Sequence, residues 1–167
     1  MTSNLLLALL LVLTFTANAT AQHTVFVVRH AERADAGTSS GSMMASDPDL
    51  SDAGRQRAEA LAATLEDANI TAIFTTEFKR TQATAAPLAK ALGITPTVVG
   101  SGEQSKLIAA IKAASGNLLV VGHSNTVPAI IKELGVPAAV SVGDSEYDNL
   151  FVVTMGAAPT VLRLHYR

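Results

Sequence analysis

Apolar runs alternate along the chain with segments whose apolar residues recur at helical spacing. Six runs rich in β-branched and aliphatic residues predict six strands: Val25–Val28, Ala72–Thr75, Pro96–Val99, Leu118–Val121, Leu150–Thr154 and Val161–Leu164. The first and fourth of these are continuous, as expected for strands buried on both faces of a parallel sheet. The last two flank Gly156 and Pro159, which predicts a closing hairpin.

The segments between these runs predict four helices. They are a helix with Ser51 as N-cap, one over Thr81–Leu92, one opened by the capping-box pattern Ser101-Gly102-Glu103-Gln104, and one over Asn125–Leu134. Pro87 is expected to kink the second helix or split it in two, because proline interrupts the helical hydrogen-bond ladder.

Residues 34–50 show no periodicity and predict a loop. The regular alternation of strands and helices in the rest predicts an α/β fold. We expect a three-layer α/β/α sandwich with a mostly parallel sheet, because sequential strands joined by helices pair in parallel.

The first 22 residues carry no charged side chain, and Leu5–Phe15 is an apolar run of 11 residues. Since spanning a bilayer takes about 20 residues, the run is typical of a secretory signal, with Ala17-Asn18-Ala19 or Ala19-Thr20-Ala21 as cleavage site. No Lys or Arg precedes the run, which leaves an uncleaved anchor or a buried first helix as alternatives. We expect a signal peptide over residues 1–21 and one domain over residues 22–167, periplasmic or secreted, with no stable membrane insertion after cleavage.

Composition narrows the classes of function. The chain is 49% hydrophobic and 16% charged with a net charge of −2, which excludes a disordered chain and argues against a nucleic-acid partner bound through a basic face. There is no cysteine, so disulfides, thiolate nucleophiles and cysteine-based metal sites are excluded.

Histidine and arginine follow three of the predicted strands. Arg29 and His30 end the first run, Arg80 follows the second, and His123 follows the fourth. Since ligands of open parallel sheets bind outside the carboxyl ends of the strands, we expect these side chains to meet at one edge.

Four motifs resemble those of the histidine phosphatase superfamily, also called phosphoglycerate-mutase-like. They are Val27-Val28-Arg29-His30-Ala31-Glu32-Arg33, Leu50-Ser51-Asp52-Ala53-Gly54, Phe78-Lys79-Arg80-Thr81-Gln82-Ala83-Thr84-Ala85 and Val121-Gly122-His123-Ser124. An isolated Arg-His pair carries little information, but four motifs in this order are specific. His123 follows Arg80 by only 43 positions, so the resemblance is to the small phosphohistidine phosphatases that have no lid.

The resemblance implies a role for each matching residue. His30 is the nucleophile and forms a phosphohistidine, with its second ring nitrogen held by a backbone carbonyl. Arg29 and Arg80 bind phosphoryl oxygens through guanidinium forks. His123 is a further donor, strongest when protonated, and Arg33 is a further phosphate or substrate contact.

Three carboxylates are candidates for the general acid. In the family this carboxylate usually lies between the second arginine and the second histidine, and Glu103 is the single carboxylate between Arg80 and His123. Glu103 also suits an ordinary first-turn helix position. Glu146 and Asp148 are the rival acids. The mechanism needs no metal or other cofactor.

The function expected from these residues is an exported, metal-independent phosphomonoesterase that works through His30. Its substrate is a small-molecule phosphate ester or a phosphoprotein. One alternative is a non-catalytic phosphate- or phosphosugar-binding module on the same fold. Another is a structural envelope protein, which predicts no affinity for anions.

Overall fold

The computed structural model describes residues 23–35 and 47–167. The predicted signal peptide and most of the predicted loop therefore lie outside the described residues. Ten elements follow in chain order: β1 (Thr24–Arg29), α1 (Asp52–Leu65), β2 (Ile70–Thr75), α2 (Lys79–Leu92), β3 (Thr97–Val98), α3 (Gln104–Ala113), β4 (Asn117–Gly122), α4 (Thr126–Glu133), β5 (Asn149–Thr154) and β6 (Thr160–His165).

The strands form one six-stranded sheet in the order β3-β2-β4-β1-β5-β6. The pairs β2–β3, β2–β4 and β1–β4 are parallel. The hairpin of β5 and β6 closes the sheet antiparallel to β1. The prediction of a mostly parallel α/β sheet with a closing hairpin is confirmed.

Helices cover both faces of the sheet. Val25 and Val27 of β1 pack in the same buried cluster as residues of α3 and α4. Val28 packs with residues of α1 and α2 on the opposite face. Because successive side chains of a strand point to opposite faces, one short apolar run supplies both halves of the core. No helix in the described part of the chain is long and apolar enough to cross a membrane.

Two helices differ from their sequence predictions. α2 runs through Pro87 as one continuous helix, so of the two predicted effects the split is wrong, and the kink stays a prediction. The helix tolerates a single missing donor while its neighbours Ala85 and Leu88 are fully buried. α3 has Glu103, and not Ser101, as its N-cap. The predicted capping box does not form, because the Ser101 hydroxyl donates instead to the Glu77 carboxylate at 2.7 Å.

The start of α1 fixes the loop that follows β1. Ser51 caps the helix as predicted, accepting the Gly54 N–H at 3.0 Å, and its own N–H donates to the Glu32 carbonyl at 2.9 Å. A Cβ on residue 54 would lie 2.2 Å from that carbonyl oxygen. Glycine is therefore required here by the close approach of two backbones. This contact, with the Arg57–Glu32 ion pair at 2.6 Å, holds the loop beside His30.

Candidate active site

The carboxyl ends of β1, β2 and β4 bring the predicted site residues together. Arg29 is the last residue of β1, Arg80 lies in the first turn of α2, and His123 directly follows β4. The His30 N–H donates to the Gly122 carbonyl at 2.9 Å, which continues the β1–β4 ladder by one step. The rings of His30 and His123 are 5.3 Å apart between centroids. The structure thus brings the two histidines together at the sheet edge where they were expected.

The His30 imidazole is held in its neutral form. Its Nδ1 lies 2.8 Å from the Ala31 carbonyl oxygen. A carbonyl only accepts hydrogen bonds, so Nδ1 carries the proton and Nε2 keeps its lone pair. Burial, partly opposed by the Ala31 hydrogen bond, lowers the pKa of His30 to about 3. The imidazole is therefore unprotonated at neutral pH, as nucleophilic attack requires.

His123 sits in a polar niche at the end of β2. Its Nε2 lies 3.1 Å from the Thr76 hydroxyl, which lies 2.9 Å from the Thr81 hydroxyl. Burial, followed by the charge of Arg80, lowers the pKa of His123 to about 4. The imidazole is consequently neutral at pH 7. A bound phosphate dianion would favour the protonated form, the stronger donor expected from the sequence.

Arg29 is anchored by the loop before β5. Its Nη1 donates to three backbone oxygens, those of Gly143, Asp144 and Glu146, at 3.0, 2.9 and 3.3 Å. Its guanidinium carbon lies 4.0 Å from the ring centroid of Tyr147. The fork predicted for Arg29 is thus largely occupied by this loop. Its buried Nε–H has no hydrogen-bond partner among the described residues.

Arg80 contributes a second unsatisfied donor. Its guanidinium lies 4.2 Å from the Phe78 ring centroid, and its Nη1 is 3.7 Å from Asp47. Its Nε–H is buried and, like that of Arg29, lacks a partner within the described chain. An unpaired buried donor costs about 1–3 kcal/mol. An anion that accepted from both arginines would remove that cost.

Arg33 is a third arginine near the carboxyl end of β1, after Arg29 and Arg80. It binds Asp35 through two hydrogen bonds of 2.8 and 2.5 Å. Burial, and then the charge of Arg33, lowers the pKa of Arg80 below its usual range. A contact between Arg33 and substrate stays a prediction.

The three candidate acids are engaged elsewhere. Glu103 accepts the Gly100 N–H at 3.0 Å, and its side chain is 52% exposed beside Lys106. The Glu146 carboxylate accepts the Gly143 N–H at 2.8 Å, and Asp148 pairs with His165 at 3.2 Å. The structure brings none of the three carboxylates into contact with His30 or His123, and the role of Glu103 stays a prediction.

Glu77 is a carboxylate that the sequence reasoning missed. It accepts from the backbone N–H and hydroxyl of Ser101 at 2.8 and 2.7 Å, and its charge acts on both His123 and Arg80. Burial raises the pKa of Glu77, but hydrogen bonds from Ser101 help to bring it below its usual range. Glu77 precedes Arg80 and so lies outside the interval in which the sequence predicted the acid. Within the described residues, no group of three or more His, Asp or Glu side chains is arranged to hold a metal ion.

The low pKa values of the two imidazoles predict a pH-dependent stability. Between the ordinary imidazole pKa of 6.5 and the folded values of about 3 and 4, the unfolded chain binds protons that the folded chain does not. The free energy of unfolding should therefore fall as the pH drops from 6.5 to 5, by about 1 kcal/mol per imidazole after allowance for solvent. Carboxylates stay largely ionised in this window.

Urea unfolding at several pH values measures this effect. The double variant His30→Asn/His123→Asn should flatten the acid decline, whereas His165→Asn, on the surface beside Asp148, should keep it. An unchanged decline in the double variant would contradict the assignment.

Comparison with known proteins gives a family match for the first half of the domain. Residues 25–100 match the family model of the histidine phosphatase superfamily, branch 1. This range contains three of the four motifs, those with His30, Gly54 and Arg80. None of the curated proteins compared with this chain matches it.

Solved structures share the fold over nearly their whole length. The protein histidine phosphatase SixA complexed with tungstate is 18% identical with a TM-score of 0.65, over 85% of this chain and 96% of that one. Mycobacterial hydrolase 1 is 16% identical with a TM-score of 0.65, over 86% and 97%. A mycobacterial glucosyl-3-phosphoglycerate phosphatase is 13% identical with a TM-score of 0.61, over 87% and 98%. Residues 25–100 thus match the histidine phosphatase superfamily in sequence, and the chain shares its fold with the protein histidine phosphatase SixA.

Proposed function

We propose that this protein is a phosphomonoesterase that forms a phosphohistidine at His30. The observation that carries the proposal is the neutral Nε2 of His30, prepared by the Nδ1 contact with Ala31, beside two arginines with unpaired buried donors. A phosphate group carries two negative charges and several acceptors, which these donors fit. A module that only bound phosphate would have no use for a nucleophile held in this form.

The reaction proceeds in two displacements. In the first, Nε2 of His30 forms a bond to phosphorus while the ester P–O bond breaks, and the leaving oxygen takes a proton from a general acid. In the second, the same group, now deprotonated, takes a proton from water while the water oxygen bonds to phosphorus; the P–N bond breaks, its electron pair returns to Nε2, and inorganic phosphate leaves. Arg29 and Arg80 stabilise the charge on the non-bridging oxygens in both steps. Because arginine supplies this charge, the proposed reaction needs no metal.

The proposed general acid is Glu103. β3 pairs in parallel with β2, so the turn after β3, residues 100–103, lies at the same edge as the histidines. Ser101 in that turn contacts Glu77, whose charge acts on His123. The half-exposed carboxylate of Glu103 can rotate away from Gly100 toward a bound ester without disrupting the core.

The proposed substrate is a small phosphate ester or a phosphoprotein side chain. The link between Arg80 and His123 is one helix, a two-residue strand and a second helix, too short to include a covering domain. SixA, whose fold the chain shares, is a protein histidine phosphatase. A large phosphorylated partner could approach such a site.

Substitution of the nucleophile tests the proposed function. The purified domain should hydrolyse p-nitrophenyl phosphate with and without EDTA, and His30→Asn should reduce kcat by more than about 1,000-fold. Orthovanadate should still bind the variant, because the arginines remain. Vanadate binding by a wild type without turnover would favour the phosphate-binding module. Neither turnover nor binding would favour a structural envelope protein.

A pair of carboxamide variants tests the general acid. Glu103→Gln should lower kcat by about 100-fold on an alkyl phosphate and far less on p-nitrophenyl phosphate, whose leaving group needs little protonation. Glu77→Gln is the matched control, since it removes a nearby carboxylate charge and should affect the two substrates equally. Activity of Glu103→Gln within a few-fold of wild type on the alkyl phosphate would remove Glu103 from the mechanism.

We also propose that the protein is exported and that residues 22–167 are its mature domain. The proposal is supported by the uncharged segment before residue 23 and its 11-residue apolar run. In cells that express the full sequence, the protein should appear outside the cytoplasm with a new amino terminus near Gln22. Edman sequencing of fractionated protein measures this, and intact Met1 on cytoplasmic protein would contradict it.

A further inference from the structure

Tyr147 is a residue of the site that the motifs do not contain. It lies in the loop before β5, and its ring is 6.2 Å from that of His30 between centroids. Its hydroxyl oxygen accepts a hydrogen bond from Nη2 of Arg29 at 3.3 Å, and its ring lies under the same guanidinium. One aromatic side chain thus lies beside both His30 and Arg29.

The Tyr147 hydroxyl has a proton that is available for a hydrogen bond. A tyrosine hydroxyl accepts and donates; here the oxygen accepts from Arg29. Within residues 23–35 and 47–167, the structure gives the hydroxyl no acceptor for its own proton. The adjacent Nε–H of Arg29 is likewise unpaired. Two unused donors on touching side chains, next to the attacking imidazole, fit adjacent oxygens of one tetrahedral anion.

We propose that the Tyr147 hydroxyl donates a hydrogen bond to a non-bridging oxygen of the phosphoryl group bound between Arg29 and His30. This inference rests on the proposed phosphatase function and adds a residue to that site. In-line attack places the leaving oxygen on the side of phosphorus opposite Nε2 of His30. Tyr147 is hydrogen-bonded to Arg29, which binds the non-bridging oxygens in the proposed reaction. The Tyr147 hydroxyl therefore contacts the transferred phosphoryl group and not the leaving group.

The loop holds Tyr147 in place before substrate arrives. The hydroxyl of Tyr166, a residue only 3% exposed, donates to the Tyr147 carbonyl at 3.2 Å. The Tyr166 N–H donates to the Asp148 carbonyl at 3.0 Å. On the other side of Tyr147, the Glu146 carboxylate accepts the Gly143 N–H at 2.8 Å. A donor fixed in this way loses little entropy when it binds the transition state.

Two substitutions at one position test the proposal. Tyr147→Phe keeps the ring under Arg29 and removes only the hydroxyl, whereas Tyr147→Leu removes both. Tyr147→Phe should lower kcat/KM by about 10–100-fold, by the same factor on p-nitrophenyl phosphate and an alkyl phosphate. Its inhibition constant for orthovanadate should rise by a similar factor, with an unchanged unfolding midpoint. Tyr147→Leu should lose at least as much.

The other outcomes either overturn the proposal or separate its failure from that of the proposed function. Tyr147→Phe within twofold of wild type, with Tyr147→Leu impaired, would show that only the ring matters, as support for Arg29. A larger loss on the alkyl phosphate would make the hydroxyl a leaving-group acid. If the wild type binds vanadate without turnover, the proposed function fails while vanadate affinity of Tyr147→Phe still decides this inference. A wild type that neither binds nor turns over overturns both.

Discussion

Burial at the carboxyl edge of the sheet acts in opposite ways on the two kinds of basic side chain that meet there. It removes the proton from His30 and His123, whose pKa values fall to about 3 and 4, but it cannot remove the charge from arginine. The same desolvation therefore yields a lone pair for attack and a fixed positive field beside it. An unprotonated imidazole and charged guanidinium groups therefore lie side by side, as the proposed reaction requires.

The positive charges of neighbouring arginines must be stabilised, and a different kind of contact stabilises each of the three. Backbone oxygens of the loop before β5 surround Nη1 of Arg29, a carboxylate binds Arg33, and an aromatic ring lies beside Arg80. In Arg29 and Arg80, these contacts leave one buried donor unused. The protein stabilises the cations enough to fold but leaves part of their hydrogen-bonding capacity for a ligand.

The sequence predicted what depends on local pattern. Runs such as Leu118–Val121 marked strands because a short, continuous apolar run is typical of a strand buried on both faces, and the strand ends then located His30 and His123. Contacts between segments that are distant in the sequence could not be predicted, because no local pattern indicates them. The Ser101 hydroxyl was predicted to cap its own helix and instead binds Glu77, 24 positions away. The carbonyls that hold Arg29 come from residues 114 to 117 positions later, and carbonyls have no sequence signature.

The hydrogen bond from the Tyr166 hydroxyl to the Tyr147 carbonyl connects the segment after β6 to the loop that contacts Arg29. Arg29, near the start, is held by a loop that is itself held by a residue beyond β6. The carbonyls that hold Arg29 are synthesised 114 to 117 positions after Arg29 itself, and Tyr166 later still. A growing chain therefore contains Arg29 and His30 before it contains the contacts that orient Arg29.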